Sequence, residues 1–151
     1  MIFCDMDGVL ADFDAGFKDK FGCLPDDISR RQLWKNVLTV ENYWLNLPKM
    51  HDADVLFNCL NKYGFTILTG IPPEDYARAE MEKRLWLKQN YNKENDVICC
   101  LSKDKYKFCK KCDILIDDLE KNVKMWEKAG GIGILHTSAA DTINKLKELE
   151  C

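Results

Sequence analysis

Five short apolar runs, separated by stretches of helical character, limit what this chain can fold into. The runs are 1–4 (MIFC), 65–69 (FTILT), 97–101 (VICCL), 114–116 (ILI) and 132–136 (IGILH). Each is too short for a helix and is closed by Gly or a polar residue, which predicts strands buried on both faces. Between them, 12–21 reads as a helix with Asp12 as its cap and Asp14 in its first turn, where a negative charge is favourable. Residues 52–63 form a second helical stretch, ended by Gly64. Residues 74–91 follow Pro72 and Pro73 and run from acidic to basic, which suits the helix dipole. In that stretch Ala77, Met81, Leu85 and the stem of Lys88 fall on one face and predict its buried side. Residues 119–128 are closed by Gly130-Gly131, and Ser138 caps a last helix over 139–150. Strands alternating with helices predict a parallel sheet covered on both faces. The Trp-, Tyr- and Leu-rich segment 22–48 does not fit the alternation. It predicts a small helical cap inserted after the first strand, about residues 16–50, within one domain spanning 1–151.

The chain of 151 residues is long enough for one domain with a substantial core. At 46% hydrophobic and 31% charged residues it does not read as disordered. Its net charge of −3 supplies no general basic field for a nucleic-acid backbone, so no stable nucleic-acid partner is expected, although a local basic patch is compatible with it. No apolar run is long enough to span a bilayer, and the N-terminus has no secretory leader pattern, so a cytoplasmic location is expected. The eight cysteines are Cys4, Cys23, Cys59, Cys99, Cys100, Cys109, Cys112 and Cys151. In this context they read as reduced thiols, with Cys99 and Cys100 as small core fillers. A zinc site at Cys109/Cys112 with Cys99/Cys100 is the weaker reading. It lacks a second C-x-x-C pair or a nearby His pair.

In open parallel sheets, ligands bind beyond the carboxyl ends of the strands. Asp5 and Asp7 follow the first strand here, Thr69 and Gly70 the second, Ser102, Lys103 and Lys105 the third, and Asp117 and Asp118 the fourth. Four carboxylates on one rim raise each other's pKa unless a cation is present, and hard oxygen ligands suit Mg²⁺. Lysine and hydroxyl groups suit phosphate oxygens. One aspartate can attack phosphorus, and a second, two residues on, can protonate the leaving oxygen and later activate water. Gly8 lets the backbone turn tightly and bring its N–H to phosphate.

DMDGVLADF (5–13) resembles the first motif of the haloacid dehalogenase superfamily of phosphohydrolases. Thr69, Lys105 and ILIDD (114–118) are similar to its second, third and fourth motifs, in the same order and at strand ends. A closer resemblance is to the 5′(3′)-deoxyribonucleotidases. It is carried by DMDGVLADF, by Leu68-Thr69 before a proline-containing loop, by Glu82, Lys83 and Trp86, by Lys103-Asp104-Lys105 and by Leu115-Ile116-Asp117-Asp118. The resemblance implies a Rossmann-like α/β fold. It implies Asp5 as nucleophile and Asp7 as acid and base. Mg²⁺ would be held by Asp5, the Asp7 backbone carbonyl and the Asp117-Asp118 pair. Thr69 and Lys105 would hold phosphate, with Gly8 and Gly70 lining it. Phe13 matches a family aromatic near the base, and Trp34 is similar to one in the base pocket. The implied substrate is a nucleoside monophosphate, with a deoxyribonucleotide favoured, and a homodimer would be in keeping with the family. Three departures stand out: Thr69-Gly70 replaces the usual Thr-Ser, Lys103 stands where Arg is usual, and the cap is short.

Plainer readings accompany these. Phe13, Trp34, Tyr43 and Trp44 can stack a nucleobase or fill the core of a small cap. Tyr43 and Trp44 are read as core, Phe13 as site. Lys103 is equally a phosphate ligand or an exposed lysine. His51 and His136 are read as structural or surface residues. Two other functions stay open: the same chemistry on a nucleic-acid 3′-phosphate or a sugar phosphate, and a non-catalytic Mg²⁺- or nucleotide-binding module.

Overall fold

A computed structural model describes residues 1–149. Glu150, the expected end of the last helix, and Cys151 lie outside the described residues. Five strands form one sheet, β1 (Ile2–Cys4), β2 (Thr66–Gly70), β3 (Val97–Cys100), β4 (Ile114–Asp117) and β5 (Ile132–Leu135). Their order is β3-β2-β1-β4-β5, and every pairing is parallel. The runs are β-branched and nearly all apolar because helices cover both faces and leave little room for a solvated side. The helices are α1 (Phe13–Phe21), α2 (Arg30–Leu38), α3 (Ala53–Tyr63), α4 (Tyr76–Tyr91), α5 (Glu120–Lys128) and α6 (Ala139–Leu149). The local signals act as expected. Asp12 Oδ1 accepts from Ala15 N at the start of α1, and Ser138 Oγ accepts from Asp141 N at the start of α6.

The pleat divides the strand side chains between two apolar clusters. Phe3, Leu68 and Leu115 meet Trp126 of α5 on one side, with Phe3 and Trp126 edge to face at 5.2 Å. Cys4, Ile67 and Ile116 face the larger cluster, which includes Phe17, Leu56, Leu60, Trp86 and Leu146 from the other helices. Burying a leucine of this kind stabilises by roughly 2 kcal/mol.

The segment after β1 leaves the sheet and returns to it. Asp12 N donates to the Pro48 carbonyl and Met50 N to the Leu10 carbonyl, each at 2.8 Å, closing the excursion at its base. Polar bonds fix it to α4. Arg78 donates to the carbonyls of Val40 and Val37 at 2.7 and 3.1 Å and pairs with Asp75 at 2.6 Å. Trp86 Nε1 donates to the Leu47 carbonyl, and Trp44 Nε1 to Asp75 Oδ2.

The buried face of α4 corrects the sequence expectation. Met81 is 56% and Leu85 39% exposed, and Ala77 and Lys88 are exposed too. The inward side carries Ala79, Glu82, Lys83, Trp86 and Leu87. Lys83 points inward because it finds three polar partners there, and Glu82 beside it is paired with Arg78 of the same helix at 3.5 Å.

Candidate active site

The chain runs from β1 outward to β2 and β3, then crosses back to β4 on the other side of β1. The strand order therefore reverses between β1 and β4, the place where an open α/β sheet leaves a crevice. Register decides what lines it. Cys4 pairs with Ile116, and Asp5 N donates to the Ile116 carbonyl at 2.9 Å, so Asp5 emerges beside Asp117. Asp118 follows directly. One carboxylate oxygen from each of Asp5, Asp117 and Asp118 lies within 4.8 Å of the others.

Lys105 enters from the 3₁₀ turn Ser102–Phe108 and bridges this cluster. Its Nζ lies 2.8 Å from Asp5 Oδ1 and 2.7 Å from Asp117 Oδ2. Asp5 Oδ1 also accepts from Met6 N. Asn122 Nδ2 donates to Asp117 Oδ2 and Leu119 N to Asp117 Oδ1, which fixes that carboxylate at both oxygens. Burial opposes the charge on Lys105, but Asp5 and Asp117 outweigh it and its pKa is raised. Burial, then the charge of Asp5, raises the Asp117 carboxyl above its ordinary range. Burial and the charges of Asp5 and Asp117 push Asp118 up to about 8. Three carboxylates against one lysine leave negative charge uncompensated, and all the groups on offer are hard oxygens. A divalent cation such as Mg²⁺ fits that donor set.

Asp7 sits on the other side of the opening. Its Oδ2 receives Lys83 Nζ at 2.6 Å. Lys83 is fully buried and also donates to Thr69 Oγ1 at 3.0 Å and to the Gly70 carbonyl at 2.7 Å. Its ammonium lies 4.8 Å from the Trp44 ring centroid, a cation–π contact. Asp7 Oδ1 has no hydrogen-bond partner. Gly8 has φ +78, and a Cβ there would overlap the Asp118 carboxylate. No other residue lets β1 turn so close to Asp118.

An open cavity of about 740 Å³ lies over these groups. Asp5, Asp7, Gly8, Gly70, Ser102, Lys105 and Asp118 line its floor, and Phe13, Trp34 and Trp44 belong to its wall. Phe13 and Trp34 meet edge to face at 6.3 Å.

Among the residues singled out from sequence, Asp5, Asp7, Gly8, Gly70, Lys105 and Asp118 come together around one cavity with Phe13 and Trp34. Asp117 lies beneath it, fully buried. Thr69 reaches the same strand end, but its buried hydroxyl is occupied by Lys83. Lys103 is exposed on the rim. Tyr43 is core, and Trp44 is both core and cavity wall. Among the described residues, the grouping suited to a metal is the three aspartates. Cys109 Sγ instead donates to the carbonyls of Lys110 and Trp126. The role of Lys83 was missed, as was that of Asn122. The signal for Lys83 was present: Ala79, Glu82, Lys83, Trp86 and Leu87 follow helical spacing, with charges at two core positions.

The fold has a solved counterpart. The chain is similar to the structure described as a hydrolase from Streptococcus pneumoniae TIGR4, with a TM-score of 0.54 and 13% identity over 97% of each chain. At that identity the likeness establishes the α/β fold. No family model matches the chain, and no curated protein does.

Proposed function

We propose that this protein is a Mg²⁺-dependent phosphomonoester hydrolase of the haloacid dehalogenase type, acting on nucleoside monophosphates through an aspartyl-phosphate. The observation that carries the reading is the Asp5–Lys105–Asp117–Asp118 cluster at the strand-order reversal, with Asp7 facing the same cavity. The fold of the streptococcal hydrolase is compatible with it. So are the four motifs in order, which resemble those of the 5′(3′)-deoxyribonucleotidases.

Asp5 Oδ1 is held by Met6 N and Lys105, which leaves Oδ2 as the oxygen available to attack phosphorus. As the P–Oδ2 bond forms, the bond from phosphorus to the ester oxygen breaks. Asp7, anchored at Oδ2 by Lys83 and lining the cavity, delivers a proton to the departing oxygen. Asp7 then takes a proton from water, the hydroxide attacks phosphorus, and orthophosphate leaves with Asp5 restored. Lys105 offsets negative charge beside the transferring group. Mg²⁺, held by Asp5, the Asp7 carbonyl, Asp117 and Asp118, would supply electrostatic stabilisation of the phosphoryl oxygens. Gly8 and Gly70 keep the floor free of side chains where phosphate must approach, with Thr69 behind. Phe13 and Trp34 offer ring faces to a base. The helical excursion over about 16–50 acts as the cap and supplies Trp34, while Phe13 stands just before it at the start of α1.

Phosphate release from a panel of nucleoside 5′- and 3′-monophosphates and sugar phosphates tests this, run with Mg²⁺, with EDTA and with Asp5→Asn. Mg²⁺-dependent turnover of a mononucleotide, abolished in the variant, is expected. Turnover of sugar phosphates alone would remove the nucleotide assignment and keep the chemistry.

A further inference from the structure

We propose that the site takes the terminally phosphorylated end of a short single-stranded nucleic acid, with the nucleotide next to the reacting one lying against α2. This rests on the phosphohydrolase reading above and widens its substrate. The cavity does not end at Trp34. On the outer side of α2 lies a second hollow of about 430 Å³, lined by Arg30, Arg31, Trp34, Lys35, Leu38 and Glu74. Arg30 and Trp34 belong to both hollows. Contacts run unbroken from the chemistry to this wall. Lys83 joins Asp7 to the Trp44 ring, Trp44 stacks on Trp34 at 6.1 Å, and the Arg30 guanidinium lies 5.9 Å from the Trp34 centroid.

Apart from the contact of Arg30 with the Trp34 ring, the charge on α2 has no structural purpose that the fold reveals. The helix carries Arg30, Arg31 and Lys35 and no acidic residue. Two of these cations occupy the first turn, where the helix dipole disfavours them. None of the three forms an ion pair among the described residues. Some exposed cations elsewhere are paired within their helices, as in Arg84–Glu80, Lys124–Glu120 and Lys145–Asp141. Others, among them Lys18, Lys62 and Lys128, form no ion pair among the described residues. What sets α2 apart is that its three cations cluster on one short helix beside the cavity. Glu74 is the acid on this wall. An unpaired basic cluster at the positive end of a helix costs stability, and an anion would relieve it. In a chain of net charge −3 the positive field is local.

The hollow also offers apolar surface. Leu38 is 49% exposed, and Trp34 forms the shared wall. A ring face, an aliphatic side chain and unpaired cations suit one stacked base and one backbone phosphate. A mononucleotide bound over Asp5 would reach Trp34 from the cavity side and leave Arg31, Lys35 and Leu38 unused. The strand is a substrate, held transiently.

The test compares thymidine monophosphate with hexathymidylate phosphorylated at its 5′ end and, separately, at its 3′ end. Wild type is measured against Arg31→Glu/Lys35→Glu, whose exposed positions belong to the second hollow alone. A glutamate in the first turn of α2 suits the dipole, so the variant is expected to fold. At about 0.1 M salt, kcat/KM for one hexamer is expected to exceed that for the mononucleotide roughly tenfold, with the margin lost in the variant. Anisotropy of a labelled hexamer on Asp5→Asn reads binding without turnover. Its affinity is expected to fall with salt at a log–log slope of about −2, and the slope should shrink once the two cations are reversed. Equal kcat/KM for hexamer and mononucleotide, or a margin that survives the double variant, overturns the proposal. A protein that binds the hexamer with this slope but hydrolyses nothing contradicts the proposed chemistry and upholds the surface.

Discussion

Lys83 Nζ lies 2.6 Å from Asp7 Oδ2, and the lysine that makes this contact has no exposed surface. Its three bonds, to Asp7, Thr69 and the Gly70 carbonyl, tie α4 to the ends of β1 and β2. Removing the ammonium would strand a carboxylate, a hydroxyl and a carbonyl together. Lys83→Met is expected to cost about 3 kcal/mol of stability and to lower kcat sharply. Urea unfolding and steady-state kinetics on the same variant check both. Unchanged kinetics would mean that Lys83 only supports the fold.

Gly8 separates backbone needs from chemistry. Its positive φ and the Asp118 carboxylate beside it leave no place for a methyl group. Gly8→Ala is expected to cost about 1–2 kcal/mol and to displace Asp118. Activity should fall far more than stability, read by phosphate release against a thermal melt. An active Gly8→Ala enzyme would refute the close approach.

The acidic cluster predicts an unusual pH response of the metal-free protein. Asp117 and Asp118 both have folded-state pKa values above the ordinary carboxylate value, Asp118 at about 8. Between the unfolded value of 3.8 and about 8 the folded state holds the extra proton. This pair's contribution to stability therefore declines as pH rises across that window. Mg²⁺ should reverse the decline, raising the melting temperature more at about pH 8 than at about pH 6. Asp118→Asn should flatten both trends. A Mg²⁺ effect that is the same at the two pH values would count against the cluster as the cation site.

His136 gives the opposite slope. It is buried, its Nδ1 lies 2.8 Å from Thr142 Oγ1, and burial holds its pKa below the ordinary imidazole value of 6.5. The unfolded chain takes up the proton first, so the stability contribution is complete above about 6.5 and is lost as pH falls below it. Denaturation midpoints over about pH 5.5–7.5 should show this loss in wild type and a smaller one in His136→Gln. Equal loss in both would assign the slope to other groups.

Much of this was legible in the sequence because the signals were local. Strand ends, Gly8 and the Asp12 and Ser138 caps follow from short-range chemistry, and the parallel order follows from alternation. Strand-end position alone gathered Asp5, Lys105 and Asp118. The inward face of α4 was not legible from hydrophobicity, because Lys83 finds its partners in segments distant in sequence, while Glu82 is paired within the helix with Arg78. Nor was the occupation of the Thr69 hydroxyl, which depends on that same lysine. The basic face of α2 was written in its residues, but its continuity with the cavity through Trp34 depends on packing across the excursion.

The most direct test of the central claim is to look for the phosphoryl group on Asp5. Protein turning over a mononucleotide with Mg²⁺ would be quenched in acid and its peptides weighed. A gain of one phosphoryl group on the peptide containing Asp5, absent with EDTA and in Asp5→Asn, is the predicted result. Turnover that continues in Asp5→Asn, or a phosphoryl group that maps to another residue, would contradict it.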